Sequence, residues 1–193
     1  MLFRSHYRGQ PGVDQFELLA HLTGYTVLKG LTRNHPDAHF GNALLTRLPV
    51  EGTTTVDLSV PLRAPRGALV AEIKGPGGPV RVCNVHLGLD PWERREQVTR
   101  VARVLDDAPT TPTLVLGDFN EWRALPPYLE PMAKRLPGCA MPESYHARRP
   151  MLRFDRIYAS PELALERAHC IHAPVAKHAS DHLPVVASLS WRS

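Results

Sequence analysis

Apolar residues in this chain recur mostly with a period of two, the spacing of half-buried strands, and lengthen to a helical spacing in two places. The first helical stretch starts at Asp14, a capping residue, carries Phe16, Leu19, Ala20 and His21 or Leu22 on one side, and stops at Gly24. Tyr25 to Leu28 and Phe40 to Thr46 read as strands around the polar loop Arg33 to Asp37. From Thr53 to Val60 the pattern alternates strictly, Thr55, Asp57 and Ser59 against Val56, Leu58 and Val60. Ala68 to Lys74 and Val80 to Leu87 flank Gly75-Pro76-Gly77-Gly78-Pro79, which predicts an antiparallel hairpin. The clearer helix follows, with Asp90 as cap, Pro91 in the first position and Glu93 completing a capping-box-like pattern. Val98, Val101, Ala102 and Leu105 give it a buried face, and Arg94, Arg95, Arg100 and Arg103 are expected to look into solvent.

Thr113 to Leu116 is a short continuous apolar run, as expected of a strand covered on both sides. Trp122 to Pro150 is Pro-rich and reads as loop, with a helical turn or two near Tyr128 to Lys134. Phe154 to Ala159, Leu163 to Ile171 and Leu183 to Ser190 complete the strands. Many strands with two or three helices laid outside predict an α+β sandwich of two mostly antiparallel sheets. With 193 residues, no repeat and no low-complexity linker, one domain spanning residues 1–193 is the expectation.

Hydrophobic and charged contents of 43% and 22% place the chain among ordinary globular proteins. Its net charge of +4 suits a phosphorylated or polyanionic partner, but no run of five basic residues argues for nucleic acid. No stretch approaches the ~18 apolar residues of a membrane span, and charge interrupts the first residues too early for a secretory signal. Cys83, Cys139 and Cys170 are odd in number and widely spaced, the usage of a reducing compartment, so the cytoplasm is expected.

Three strand ends carry candidate chemistry. Asp118 and Asn120 leave the apolar run in Gly117-Asp118-Phe119-Asn120; they read equally as a turn or as a carboxylate and amide that handle a water and a phosphate oxygen. Asp181 and His182 precede the last strand; the acid suits a hard cation, and a protonated imidazole suits a phosphoryl oxygen, although a lone histidine is more often structural. Asp155 lies between apolar neighbours and needs a partner, either a histidine N–H or Arg153 or Arg156. His86 ends the hairpin's second strand and reads evenly as a core or a functional histidine. The other eight histidines, His6, His21, His35, His39, His146, His169, His172 and His178, show no paired spacing and are read as surface or structural. Gly-rich phosphate loops, HExxH, GxSxG and Cys-His zinc patterns are absent, which argues against a zinc site.

Taken in order, Gly41-Asn42-Ala43-Leu44-Leu45-Thr46-Arg47, Asn84-Val85-His86-Leu87-Gly88-Leu89, Gly117-Asp118-Phe119-Asn120-Glu121-Trp122, Phe154-Asp155-Arg156-Ile157-Tyr158 and Ser180-Asp181-His182-Leu183-Pro184-Val185 resemble the endonuclease/exonuclease/phosphatase family. That family includes DNase I-like nucleases, apurinic endonucleases, neutral sphingomyelinases and inositol polyphosphate phosphatases. The resemblance implies a four-layered αββα sandwich and a phosphoesterase that uses Mg²⁺ or Mn²⁺ and in-line attack of water. By position it implies that His86 and His182 contact the scissile phosphate, Asp155 orients His182, and Asp118 and Asn120 place the water and a phosphate oxygen. Asp181 would join the metal site or activate water, and Asn42 would line the substrate cleft.

The match begins near Arg4, after the point where the family carries a strand–helix–strand ending in the glutamate that is its principal metal ligand. The expectation is therefore an N-terminally truncated member with impaired metal binding, explained by a late start codon, a decayed gene or a part supplied by another chain. The substrate is a phosphate ester; nucleic acid, phospholipid headgroup and inositol phosphate are not distinguished, and no obligate protein partner is expected. The competing expectation is a non-catalytic remnant that binds a partner or a phosphorylated ligand through the same cleft.

Overall fold

A computed structural model describes residues 2–4, 14–35, 38–107 and 110–192, with the side chains of 2–4, 33–35 and 38–39 left out of the description. His6, Arg8 and the side chains of Arg4, Arg33, His35 and His39 lie outside the described residues.

The central layer is a six-stranded sheet built from β4 (Val50–Asp57), β5 (Gly67–Gly75), β6 (Gly78–His86), β7 (Thr113–Asp118), β8 (Gly138–Ala140) and β9 (Asp155–Ala159). Its order is β4-β5-β6-β7-β9-β8, antiparallel except where β6 meets β7. The predicted hairpin is tighter than its five-residue Gly/Pro loop suggested. Gly75 pairs with Gly78, so only Pro76 and Gly77 make the turn. Parallel neighbours need a crossover, and α2 (Pro91–Asp106) supplies it.

Each face of this sheet follows from the strand period. Ala68, Val70, Cys83, Val85, Val115 and Tyr158 point to one side and pack on Val98, Val101 and Leu105 of α2. Leu129, Met132 and Leu136, in and after a 3₁₀ turn (Pro127–Leu129) and α3 (Glu130–Arg135), close the same layer. On the other side, Ala71, Ile73, Val82, Leu114 and Leu116 meet Leu28 of β2 (Thr26–His35) and Leu44 of β3 (Ala38–Thr46). With β1 (Leu2–Arg4), these two strands form a three-stranded sheet in the order β1-β3-β2. Its outer face takes α1 (Gln15–Thr23), whose Phe16 is fully buried against Ala43, Leu19, Val27, Leu31 and Leu45. β10 (Leu163–Cys170) and β11 (Val185–Trp191) form a separate two-stranded sheet. A short helix, α4 (Ala176–Ala179), packs Ala176 with Ala147 and Leu183. The layers therefore run helix, sheet, sheets, helix, the α+β sandwich expected, with the second β layer divided into two sheets.

Two local expectations change. The loop expected over Arg33 to Asp37 is shorter, because β2 continues to His35 and β3 resumes at Ala38; Pro36 and Asp37 lie outside the described residues. Arg94 does not look into solvent: it is 4% exposed, as is Glu93, and both turn into the fold. Asp90 caps α2 by accepting from Trp92 N, and Glu93 accepts instead from the buried Gln97 amide at 3.1 Å.

Candidate active site

The sheet register builds the site before any side-chain contact is considered. β6 and β7 end together with His86 opposite Asp118, and β7 and β9 are paired so that Asp118 lies opposite Asp155. Directly opposed residues share a face, so three polar side chains stand in one row across three adjacent strands. The face is the one turned towards β2 and β3, since Leu116 and Asn84, two positions back, point the same way. Gly117, between the outward Phe119 side and this row, has φ +140°, and a Cβ there would overlap the Val85 carbonyl. Only glycine fits where β7 approaches β6 this closely.

Asp118 sits between two imidazoles. Its Oδ2 is 3.6 Å from His86 Nε2 and 3.7 Å from His182 Nε2, while its Oδ1 accepts from Asn120 N at 2.8 Å. Asn120 takes φ +49°, a conformation asparagine tolerates. Its amide donates to Leu87 O at 2.9 Å and stands 3.3 Å from His86 Nε2. The turn reading of Asp118-Phe119-Asn120 is therefore realised, and the turn brings the Asn120 amide beside His86. His182 Nδ1 is 2.7 Å from Asp155 Oδ2, which answers the question of the acid's partner. Arg153 pairs instead with Glu143, and Arg156 donates to the carbonyls of Glu121, Arg123 and Ala124.

Burial and charge set the protonation states. Burial, with the Arg66 and His182 charges adding to it, pushes His86 down to about 3, so its imidazole is neutral at physiological pH. Burial also raises Asp118, partly opposed by the His182 charge and the Asn120 N–H. His182 moves the other way: burial alone would lower it, but Asp155, Asp118 and Asp181 together raise it. The pair thus supplies one imidazole kept neutral and one biased towards its charged form.

Several residues that shape this site had no signal in the sequence. Ser144 is fully buried; its hydroxyl donates to Asp155 Oδ2 and its carbonyl accepts from Leu183 N at 2.8 Å, so it ties the acid to the histidine loop. The Tyr145 ring lies 5.0 Å from that of His182. Glu121, directly after Asn120, is fully buried and accepts from Tyr128 Oη at 2.6 Å, from Arg94 at 3.2 Å and from Arg123 at 2.8 and 3.0 Å.

Two expected site residues stand apart from the row. Asn42 is 2% exposed, and its amide donates to Gly67 O at 2.9 Å and Asn84 O at 3.1 Å, joining the two β layers. Asp181 is exposed; its carbonyl accepts from Ala147 N at 2.7 Å, and the nearest hydroxyl to its carboxylate is that of Ser180 at 3.4 Å. Among the described residues no group of three or more His, Cys, Asp and Glu side chains is arranged to hold a metal ion. Mg²⁺ commonly keeps several waters and is held by one or two carboxylates together with substrate phosphate, so among the described side chains a dication could rest on Asp181 only with waters and substrate completing its shell. No helix of the described residues is long and apolar enough to cross a membrane.

Comparison with known proteins bears on the family and the fold. The chain is 32% identical over 200 residues to the uncharacterized protein YbhP of Escherichia coli K12, across 95% of this chain and 76% of that one. Among solved structures it is similar to a functionally unknown conserved protein from Enterococcus faecalis V583, with TM-score 0.77, 20% identity, and coverage of 92% and 81% of the two chains. It is also similar to a mannosyl-6-phosphatase of Bacteroides thetaiotaomicron, with TM-score 0.74, 17% identity and coverage of 92% and 81%. Those two likenesses concern the fold. The model of the Endonuclease/Exonuclease/phosphatase family matches residues 8–182, and the chain belongs to that family.

Proposed function

We propose that this chain hydrolyses a phosphate ester by in-line attack of water, with the row His86–Asp118–Asp155 and the neighbouring His182 as its machinery. The observation that carries the reading is Asp118 set between two imidazoles of opposite protonation bias, one of them held by Asp155 at 2.7 Å. Asp118, with its affinity for protons raised by burial, takes the proton of the attacking water. His182 presents Nε2 towards the phosphate because Asp155 occupies Nδ1, and its positive charge offsets the negative charge that builds on the phosphoryl oxygens. His86 contacts the phosphate as a neutral imidazole, and the Asn120 amide holds its orientation. Asn42 acts from behind the cleft, through the carbonyl of Gly67 beside it.

Mg²⁺ or Mn²⁺ belongs to the same proposal with Asp181 as its carboxylate, and when bound it would offset charge on the phosphate and leaving oxygen. The described residues do not by themselves assemble its coordination shell, and none of the residue roles above passes through the ion. One functional unit over residues 1–193 and a cytoplasmic location complete the reading; Cys83, Cys139 and Cys170 are all free thiols. The sparse ligand set that the described residues place around Asp181 favours one alternative, a non-catalytic remnant that binds a partner or a phosphorylated ligand. Turnover of bis-p-nitrophenyl phosphate and p-nitrophenyl phosphate with Mg²⁺ decides between them. Activity that disappears in Asp118→Asn and in His182→Ala supports the hydrolase. Phosphate binding without turnover supports the alternative, and turnover unchanged by both substitutions removes the assigned machinery.

A further inference from the structure

Arg66 immediately precedes β5, at the end of the sheet where β6 and β7 finish in His86 and Asp118. Its main chain is fixed from several directions. Leu58 N donates to its carbonyl at 3.0 Å, and the Ser59 hydroxyl lies 3.3 Å from both its carbonyl and its N–H. The next residue, Gly67, is clamped by the Asn42 amide, and a Cβ on it would come within 2.9 Å of the Thr32 methyl. The guanidinium shows the opposite situation. Arg66 Nε is buried without a hydrogen-bond partner, and among the described residues the group makes no ion pair. The three buried polar atoms left without a partner among the described residues are Arg66 Nε, Asn84 Oδ1 and Arg156 Nε; the other nitrogens of Arg156 donate to carbonyls, whereas the Arg66 guanidinium has no acceptor among the described residues.

A rigid backbone carrying a half-buried guanidinium whose Nε–H has no acceptor is a poor way to stabilise a fold, because a buried N–H without an acceptor is destabilising. It is a suitable arrangement for an oxyanion that arrives with its own acceptors, which arginine's planar fork matches in pairs. Arg66 also borders a cavity of about 350 Å³ between β2, β4 and β5, together with Thr32, Thr55, Asp57 and Ser59. Its charge contributes to holding His86 neutral, and Asp118 in turn acts on Arg66. Along the row it stands on the β5 flank, whereas His182 stands on the β9 flank.

We propose that Arg66 is a phosphate-binding residue of this site, donating to non-bridging phosphate oxygens from the side opposite His182, with the cavity beside it receiving the rest of the substrate. The inference rests on the phosphoesterase reading for its site, but not on turnover for its test. The competing role is structural: Arg66 as counter-charge to the buried Glu93, which also acts on it.

Affinity for inorganic phosphate, melting temperature and the NMR titration of His86 separate the two in wild type, Arg66→Met and Arg66→Lys. A phosphate-binding arginine predicts affinity lowered roughly 10- to 100-fold in the methionine variant. The lysine variant should lose roughly 3- to 10-fold, because it keeps the charge without the fork, while its melting temperature stays that of wild type. The His86 titration should move up in Arg66→Met alone. Phosphate affinity unchanged in Arg66→Met overturns the proposal and leaves the counter-charge role. If that variant does not fold, unchanged affinity in Arg66→Lys overturns it equally, as does a wild-type protein that binds no phosphate at ~50 mM, a concentration far above typical KM values of about 1 μM to 1 mM. A chain whose phosphate affinity depends on Arg66 but which hydrolyses no ester retires the hydrolase and keeps the anion site.

Discussion

Replacing Glu121 by glutamine tests whether the buried charges behind the loop that carries Asn120 hold it in place. Glu121 has a side chain 1% exposed, facing Arg94, which is 5% exposed, and Arg123, which is 45% exposed. Burial alone would raise its pKa, but the hydrogen bonds from Arg123 and Tyr128 and the charge of Arg94 outweigh it and take it from 4.5 to about 2. Such a difference between the folded and unfolded states corresponds to roughly 3 kcal/mol at neutral pH. Solvent around the half-exposed Arg123 screens part of this, leaving about 2 kcal/mol. Glutamine also sets an NH₂ against a cluster of donors and leaves Arg94 without its counter-charge, although the carbonyls of Gly88 and Leu89 and the Tyr128 oxygen still accept from it. The expected loss in urea unfolding at pH 7 is therefore about 2–3 kcal/mol, or about 5–10 °C in melting temperature for a chain of this size. Because the folded pKa lies below the unfolded one, the stabilisation is complete above pH 4.5 and is lost as pH falls towards 2. The gap between wild type and Glu121→Gln should therefore narrow through that window. A gap under about 0.5 kcal/mol at pH 7, or one that does not shrink in acid, refutes the reasoning.

Three further outcomes follow from the same geometry. Asp155→Asn removes the acceptor shared by His182 Nδ1 and the Ser144 hydroxyl; turnover should fall roughly 10- to 100-fold while KM stays within about threefold, and unchanged turnover would remove Asp155 as the orienting acid. Gly117→Ala places a Cβ against the Val85 carbonyl at φ +140° and should cost at least about 3 kcal/mol in urea unfolding; a loss below about 1 kcal/mol contradicts the close approach of β6 and β7. Calorimetric titration with Mg²⁺ should give a midpoint on the order of 1 mM, the weak end of oxygen-ligand sites, and Asp181→Asn should weaken it further; micromolar binding would mean that more acidic ligands converge on the ion than the described residues provide.

The parts of the fold that were legible in the sequence are those set by local periodicity. The β5–β6 hairpin, the face of α2 that carries Val98, Val101 and Leu105, and the buried β7 run each follow from spacing within a dozen residues. Strand period also explains why His86, Asp118 and Asp155 were found: each ends or begins a strand on the inward face, and adjacent strand termini at one end of a sheet must lie side by side. The division of the second β layer into three- and two-stranded sheets is a matter of long-range pairing, on which no local pattern bears.

Charged residues misled for a related reason. Arg94 sits among other arginines on an amphipathic helix, where solvent is the ordinary environment, and the groups that bury it come from elsewhere: Tyr128, thirty-four residues on, and Glu121, twenty-seven residues on. Arg156 looked like a mate for its neighbour Asp155, yet it reaches the carbonyls of Glu121, Arg123 and Ala124. These side chains share one location, directly behind the loop that carries Asn120. Pattern reading therefore located the residues of the row and missed the charged residues packed behind them, and the two sets differ in the range of their contacts. A facing residue needs only a strand end. A holding residue needs partners from three separate segments at once, so a substitution among Arg94, Glu121 and Arg156 should disturb Asn120 without touching the phosphate. That separates them from Asp118 and His182, whose substitution, on the proposed function, should leave the loop in place and abolish turnover.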